Sequence, residues 1–162
     1  MRHALSRRPY LAALFAIVPV LLAGAGGSVF TRPAIPVWYA SLNKPWFTPP
    51  NWLFGPAWTL LYILMAYAFW RVLTLERPLA DKRAAIATFL VQVFFNALWS
   101  IVFFGMRSPG AALFVVAAMW LSILANSLAF ARLDKVAAWL LVPYLAWTSY
   151  AAALNIGVYL MN

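Results

Sequence analysis

Five long apolar runs separated by polar connections constrain this chain more than any other feature. They cover residues 10–30, 51–72, 84–104, 110–131 and 135–160. A helix needs about 20 apolar residues to cross a bilayer, whereas a membrane β-barrel would show short alternating segments. Only 9% of the residues are charged, too few to cover the surface of a soluble fold. We therefore predict an all-α membrane protein, in which five transmembrane helices form one domain over residues 1–162.

The first run has two interpretations. Ala23-Gly24-Ala25 looks like the cleavage site of a signal peptide. The run nevertheless continues to Phe30 without a charge, which is long for a signal sequence and right for a transmembrane span. We expect an uncleaved helix.

The first connection, from Thr31 to Pro50, is the longest, and prolines recur along it. These are Pro33, Pro36, Pro45, Pro49 and Pro50. Proline at this density disfavours one regular helix, although a short helical turn over residues 37–42 is compatible with it. We expect a long structured loop, since connections of this length often act as lids over binding sites.

The net charge of +9 comes from basic residues that lie between the apolar runs. This placement indicates topology signals and lipid headgroup contacts rather than nucleic-acid binding. Three basic residues, Arg32, Lys44 and Arg107, fall on one side of the membrane. The other nine fall on the opposite side: Arg2, Arg7, Arg8, Arg71, Arg77, Lys82, Arg83, Arg132 and Lys135. In an inner membrane this places the N-terminus in the cytoplasm and the first loop outside.

Several kinds of chemistry are disfavoured by residues that the chain lacks. The predicted spans carry no charge away from their ends, whereas ion-coupled carriers and proton pumps usually do. There is no cysteine, and the single histidine, His3, lies in the N-terminal tail. We expect neither a metal site nor a cofactor.

Aromatic and amide residues recur at helical spacing, so each set shares one face of its helix. The sets are Trp58, Tyr62, Met65 and Phe69; Gln92, Asn96, Trp99 and Phe103; and Tyr144, Trp147, Ala151, Leu154 and Asn155. Amides in hydrocarbon turn toward the bundle interior. There they either join helices by hydrogen bonds or line a pocket, and for Gln92 and Asn96 both roles stay open. Asn126 and Asn155 favour the joining role.

Further aromatic residues cluster around the first loop: Trp38, Tyr39, Trp46, Phe47, Trp52 and Phe54. They fit an interfacial aromatic belt or a lid over a flat, apolar ligand that stacks on ring faces. In the first span, Ala23 and Gly27 form a small-xxx-small pair. Such pairs permit close helix contact, including contact across a dimer.

Four segments together resemble the TspO/MBR family of translocator and tryptophan-rich sensory proteins. The first covers residues 38–50, Trp-Tyr-Ala-Ser-Leu-Asn-Lys-Pro-Trp-Phe-Thr-Pro-Pro, and the second residues 54–62, Phe-Gly-Pro-Ala-Trp-Thr-Leu-Leu-Tyr. The third is residues 92–99, Gln-Val-Phe-Phe-Asn-Ala-Leu-Trp, and the fourth is Pro143-Tyr144-Leu145-Ala146-Trp147, followed by Leu154-Asn155. They occur in order and span nearly the whole chain.

The resemblance implies a five-helix bundle in a bacterial membrane, often a homodimer, with a ligand pocket under the first loop. Family ligands are porphyrins such as protoporphyrin IX and haem, cholesterol in animals, and synthetic drugs. By position, the implied pocket residues are Trp58, Tyr62, Asn96, Trp147 and Ala151, with Trp38, Pro45 and Trp46 in the loop above. The helical stripes add Gln92, Trp99 and Tyr144. Arg32 and Lys44 are candidates to pair with porphyrin carboxylates.

Three functions follow from this resemblance as expectations. The first is a receptor or transporter-like protein that binds porphyrins and has a regulatory role in tetrapyrrole handling or stress. The second is an enzyme that degrades protoporphyrin in light, with Trp58 and Trp147 as catalytic residues. The third is a scaffold that acts through protein partners. The animal cholesterol motif is incomplete, because Gly157 stands where its tyrosine is expected and no basic residue follows Tyr159.

Overall fold

A computed structural model describes residues 8–162 of the chain. Five helices are each long and apolar enough to cross a membrane: α1 (Pro9–Tyr39), α2 (Asn51–Thr74), α3 (Leu79–Gly105), α4 (Pro109–Ala131) and α5 (Lys135–Met161). The predicted all-α bundle is therefore confirmed. Arg2, His3 and Arg7, which entered the charge analysis, lie outside the described residues.

Helix α1 extends further than predicted. Pro33 and Pro36 lie within it, and its α-helical part, Pro9–Ala34, continues as a π-helix over Ile35–Tyr39. The predicted start of the first loop at Thr31 is therefore wrong, and the non-helical connection covers only residues 42–50. Each proline removes one backbone donor and crowds the preceding turn. A π-helix, with its wider hydrogen-bonded ring, lets the helix continue past these positions. Arg32 thus lies inside a spanning helix rather than in a loop.

The helices pack mainly as neighbours along the chain. Helix α1 lies against α2 and α3, α3 against α4, and α4 against α5. Helix α2 meets only the first segment of α5, Lys135–Trp139, closely. Helix α5 is interrupted after Trp139 and resumes at Val142. Pro143 lies in the first turn of the second segment and has no amide hydrogen to donate to the first segment. A crevice between α2 and the rest of α5 results.

The small residues of α1 serve packing within the chain. Ala23 and Gly27 are buried, and a methyl group on Gly27 would lie 3.0 Å from the Ser100 hydroxyl of α3. A methyl group on Gly24 would lie 2.8 Å from the Tyr62 ring of α2. Gly27 thus packs against α3 within the chain, and contact of the Ala23 and Gly27 pair across a dimer stays a prediction.

One end of the bundle, here called the base, is tied together by polar contacts. Arg71 Nε donates to Asp134 Oδ2 at 2.8 Å and joins α2 to the α4–α5 turn. Lys82 is buried, and its Nζ donates to the carbonyls of Leu73 (2.8 Å) and Leu75 (2.6 Å) at the end of α2. These contacts give hydrogen-bond partners to the carbonyls at the end of α2 and join α2 to α3 and to the α4–α5 turn.

Asp134 also caps α5. Its Oδ1 accepts the backbone N–H groups of Val136 (2.8 Å) and Ala137 (3.2 Å). Partial burial works to raise the pKa of Asp134. The hydrogen bonds from Arg71 and from these two amides outweigh it and hold the pKa below its ordinary value. The carboxylate form is thus the one that stabilises the base.

Candidate functional site

The crevice between α2 and α5 lies at the other end of the bundle, here called the loop end, under the connection of residues 42–50. The helical stripes of α2, α3 and α5 converge there. Its lining residues are Tyr39, Phe54, Trp58, Trp99, Phe103, Phe104, Trp147, Ala151, Leu154, Asn155 and Val158. The cavity measures only about 30 Å³, which is roughly the volume of one water molecule.

Trp58 and Trp147 face each other across the crevice. Their ring centroids are 6.4 Å apart and nearly perpendicular, at 85°. Phe54 meets Trp147 edge-on at 6.2 Å, and Tyr62 lies 5.6 Å from Trp58. The crevice is thus walled by aromatic rings, which can stack on a flat molecule if the walls separate.

The indole N–H of Trp147 is buried and has no hydrogen-bond acceptor among the described residues. A buried donor without a partner costs roughly 1–3 kcal/mol. Most buried polar groups in folded proteins are paired, so an unpaired one calls for an explanation. An acceptor on a ligand in the crevice would supply the missing partner.

A second group of predicted residues forms a polar network behind the crevice. Tyr62 donates through its hydroxyl to Asn96 Oδ1 (3.0 Å), and Asn96 Nδ2 donates to the hydroxyl of Tyr144 (2.9 Å). Gln92 donates weakly to the Met65 sulfur, at 3.7 Å, and its own oxygen has no partner among the described residues. Gln92, Asn96 and Tyr144 thus join helices and do not line the crevice.

Two further amides hold helices together at depth, as expected. Asn155 accepts from Trp99 Nε1 at 3.1 Å and donates to the Pro109 carbonyl at 2.8 Å. Asn126 donates to the Ala85 carbonyl and the Thr88 hydroxyl of α3. Asn155 and Trp99 also line the crevice, so both roles that the sequence left open for amides occur in this bundle.

Trp38, Pro45 and Trp46, the residues predicted to lie above the pocket, do not line the crevice. Trp38 packs edge-on against Phe103 at 5.6 Å. Pro45 is buried against Gly157, where a methyl group would collide with the proline ring. Trp46 is 94% exposed. A tyrosine at position 157 would displace the loop, which is consistent with the missing cholesterol motif.

A much larger space, which the sequence analysis did not predict, runs between α1 and α2. This groove has a volume of about 1420 Å³ and a mostly apolar lining. Small residues of α1 such as Gly24 and Ala25 form one wall, and aromatic residues of α2 such as Tyr62 and Trp70 form the other. The small residues were recognised, but periodicity alone does not show that they leave an open space.

Five aromatic residues separate the groove from the crevice, because they line both. This aromatic partition consists of Tyr39, Phe54, Trp58, Trp99 and Phe104. Helical spacing predicts Trp58 and Trp99 as site residues, whereas Tyr39 and Phe54 are predicted only as members of the aromatic cluster around the first loop. Phe104 was missed, since its position falls off the stripe of α3.

Comparison with known proteins agrees with this architecture. Residues 15–160 match the sequence profile of the TspO/MBR family. The chain is similar to the tryptophan-rich protein TspO of Archaeoglobus fulgidus, with 42% identity over 90% of this chain and 94% of that one. It is similar to the tryptophan-rich sensory protein of Cereibacter sphaeroides, with 46% identity over 77% of each. The human translocator protein shares 34% identity over 77% of this chain and 75% of its own.

Proposed function

Because this chain belongs to the TspO/MBR family, we propose that it binds porphyrins and related flat apolar ligands within the membrane. Binding would take place between α2 and α5, and its role would be regulatory, in tetrapyrrole handling or stress. We further propose that the protein lies in a bacterial membrane as a homodimer, with the loop end facing outward. The nine-to-three distribution of basic residues supports this orientation.

The observation that carries the proposal is the unpaired indole N–H of Trp147 in an aromatic crevice. Ring faces of Trp58 and Trp147 offer stacking to a conjugated macrocycle. The N–H offers one directional hydrogen bond that fixes orientation. The hydroxyl of Thr148 is also buried and unpaired among the described residues, but Thr148 does not line the crevice.

Ligand binding requires the crevice to widen. Pockets for drug-sized ligands measure about 300–1,000 Å³, and the crevice holds about 30 Å³. The backbones of α2 and α5 are close only at the base, and at the loop end the two helices meet through aromatic rings that must separate for the crevice to widen.

The test is a titration of the purified protein in lipid nanodiscs with protoporphyrin IX, followed by quenching of tryptophan fluorescence. We expect saturable binding by the parent protein. Trp147→Phe should keep an aromatic wall but lose the donor, which should weaken binding by about fivefold to tenfold. Trp120→Phe is the control, because Trp120 bonds Ser149 outside the crevice. Absence of saturable binding by folded protein would favour the scaffold alternative.

A second candidate function is light-dependent oxidative degradation of protoporphyrin IX. The edge contact of Trp58 and Trp147 favours it, since two oxidisable indoles lie 6.4 Å apart at the proposed site. Trp58→Phe and Trp147→Phe should then lose light-dependent turnover while the protein still binds porphyrin. If illumination of the bound parent protein yields no product beyond that of free porphyrin, the protein is a binder and not an enzyme.

A further inference from the structure

The way into the crevice from the loop end is closed by a network of contacts. Asn43 N–H donates to Asn162 Oδ1 (3.0 Å), and Asn162 Nδ2 donates back to the Asn43 carbonyl (2.9 Å). The Tyr150 hydroxyl donates to the Phe47 carbonyl at 2.7 Å. Together with Pro45 seated on Gly157, these contacts tie both halves of the connection to α5.

Lys44 strengthens this closure. Its Nζ donates to the carbonyls of Tyr39 (2.8 Å) and Leu42 (2.9 Å) and lies 5.0 Å from the Tyr39 ring centroid. The Tyr39 carbonyl ends α1, where a cation also meets the negative end of the helix dipole, and the Leu42 carbonyl begins the connection. Lys44 is thus engaged in holding the connection. This leaves Arg32 as the better placed of the two predicted carboxylate partners.

The side of the bundle, in contrast to the closed loop end, has a partly open groove. The groove between α1 and α2 is about 1420 Å³ in volume and includes Arg32 near its loop end. The aromatic partition lines both this groove and the crevice. Aromatic side chains can change rotamer, whereas the loop must break several hydrogen bonds at once to open.

We propose that the ligand reaches the crevice laterally from the bilayer, through the α1–α2 groove, and that Trp58 and its neighbours in the partition act as the gate. Arg32 attracts the carboxylates of a porphyrin to the groove while the macrocycle lies among apolar walls. This inference rests on the proposed function, because it concerns the route to the same crevice. The connection of residues 42–50 then serves as a fixed cover rather than a moving lid.

The first arm of the test locks the cover. The chain has no native cysteine, so Asn43→Cys with Asn162→Cys introduces a single possible disulfide. Protoporphyrin IX association in nanodiscs would be followed by stopped-flow absorbance, with the same protein reduced as the control and thiol titration to confirm the bond. We expect the oxidised protein to bind at a rate within about threefold of the reduced one.

The second arm fills the groove. Ala25→Trp and Ile63→Trp place an indole on its α1 and α2 walls, respectively. Gly26→Trp and Leu60→Trp are matched controls on the same helices, exposed and outside the groove. We expect the two groove variants to slow association and dissociation by about tenfold with little change in Kd, since a route affects rates in both directions. The controls should bind like the parent protein.

The two experiments distinguish entry through the groove from entry at the loop end. If locking the cover slows association by more than about threefold, or if both groove variants bind as fast as their controls, lateral access is overturned. A groove variant that loses affinity without slower association would make the groove a binding site rather than a route. Failure of the proposed function differs from all of these, because the parent protein would then show no saturable binding.

Discussion

The base and the loop end of the bundle are built differently although the same five helices form both. At the base, Phe69 stacks on Phe89 with centroids 3.8 Å apart, and Phe130 lies parallel to both. At the loop end, both α1 and α3 finish as π-helices, over Ile35–Tyr39 and Ile101–Gly105. The groove and the crevice approach each other there, on either side of the aromatic partition.

The difference shows how a small membrane bundle can be held together at one end and keep spaces between its helices at the other. Lipid provides no hydrophobic force between helices, so packing and hydrogen bonds hold them together. At the base they are the phenylalanine stack, the Arg71–Asp134 pair and the Lys82 contacts. At the loop end, hydrogen bonds fix the connection of residues 42–50 to α5, but a groove and a crevice remain between the helices. π-helical turns often occur at functional sites.

The largest expected effect is a difference in thiol labelling between the two ends of the bundle, because only the end that faces outward should be labelled. We expect Ser41→Cys at the loop end to react with an impermeant thiol reagent in intact cells or spheroplasts. Glu76→Cys, near the base, should react only after permeabilisation. Both parent residues are exposed, and the cysteine-free chain is its own control. The reverse labelling pattern would contradict the orientation inferred from basic residues.

The next effect compares two buried phenylalanines of α3. Phe89→Ala should lower the free energy of unfolding by roughly 2–4 kcal/mol, because a stacked ring leaves a cavity that rigid neighbours cannot fill. Phe103→Ala should cost less than half as much, since the rings at the loop end can relax into the space. Thermal unfolding in the same detergent measures both. Equal losses would show that the two ends are equally rigid.

A smaller effect is expected for ligand affinity. Ala151 lines the crevice one helical turn from Trp147, so Ala151→Thr should weaken protoporphyrin IX binding by roughly 1–3 kcal/mol through overpacking. Ala153→Thr, exposed on the same helix, is the matched control. Because threonine can bond its own helix backbone, both variants should assemble. Unchanged affinity of folded Ala151→Thr would place the ligand elsewhere.

The smallest effect concerns the base and pH. The pKa of Asp134 is lowered in the folded protein, so its stabilising contribution is present above the unfolded pKa and is lost as pH falls through the folded value. Asp134→Ala should cost about 1–2 kcal/mol at neutral pH, and Asp134→Asn less, because asparagine still caps a helix. Thermal unfolding of Asp134→Asn should also respond less to acid below pH of about 4. An acid response equal to that of the parent would exclude Asp134 as its source.

Much of the candidate site was predictable from residue spacing. Trp58, Trp99, Trp147 and Ala151 were selected because residues three or four apart share a helix face, and all four line the crevice. Asn96 was selected on the same grounds but lies in the network behind it. Spacing identifies an inward face, and it does not distinguish a residue that meets a cavity from one that meets another helix.

The sequence by itself determined the five spans, the inward faces and the cap at Asp134, because apolar length, helical period and capping chemistry are local properties. Only the tertiary structure decided that α1 passes through Pro33 and Pro36, that Lys44 holds the connection, and that a groove of about 1420 Å³ lies between α1 and α2. These outcomes depend on distances between helices. Such distances are set by how all side chains pack at once, which no single stretch of sequence specifies.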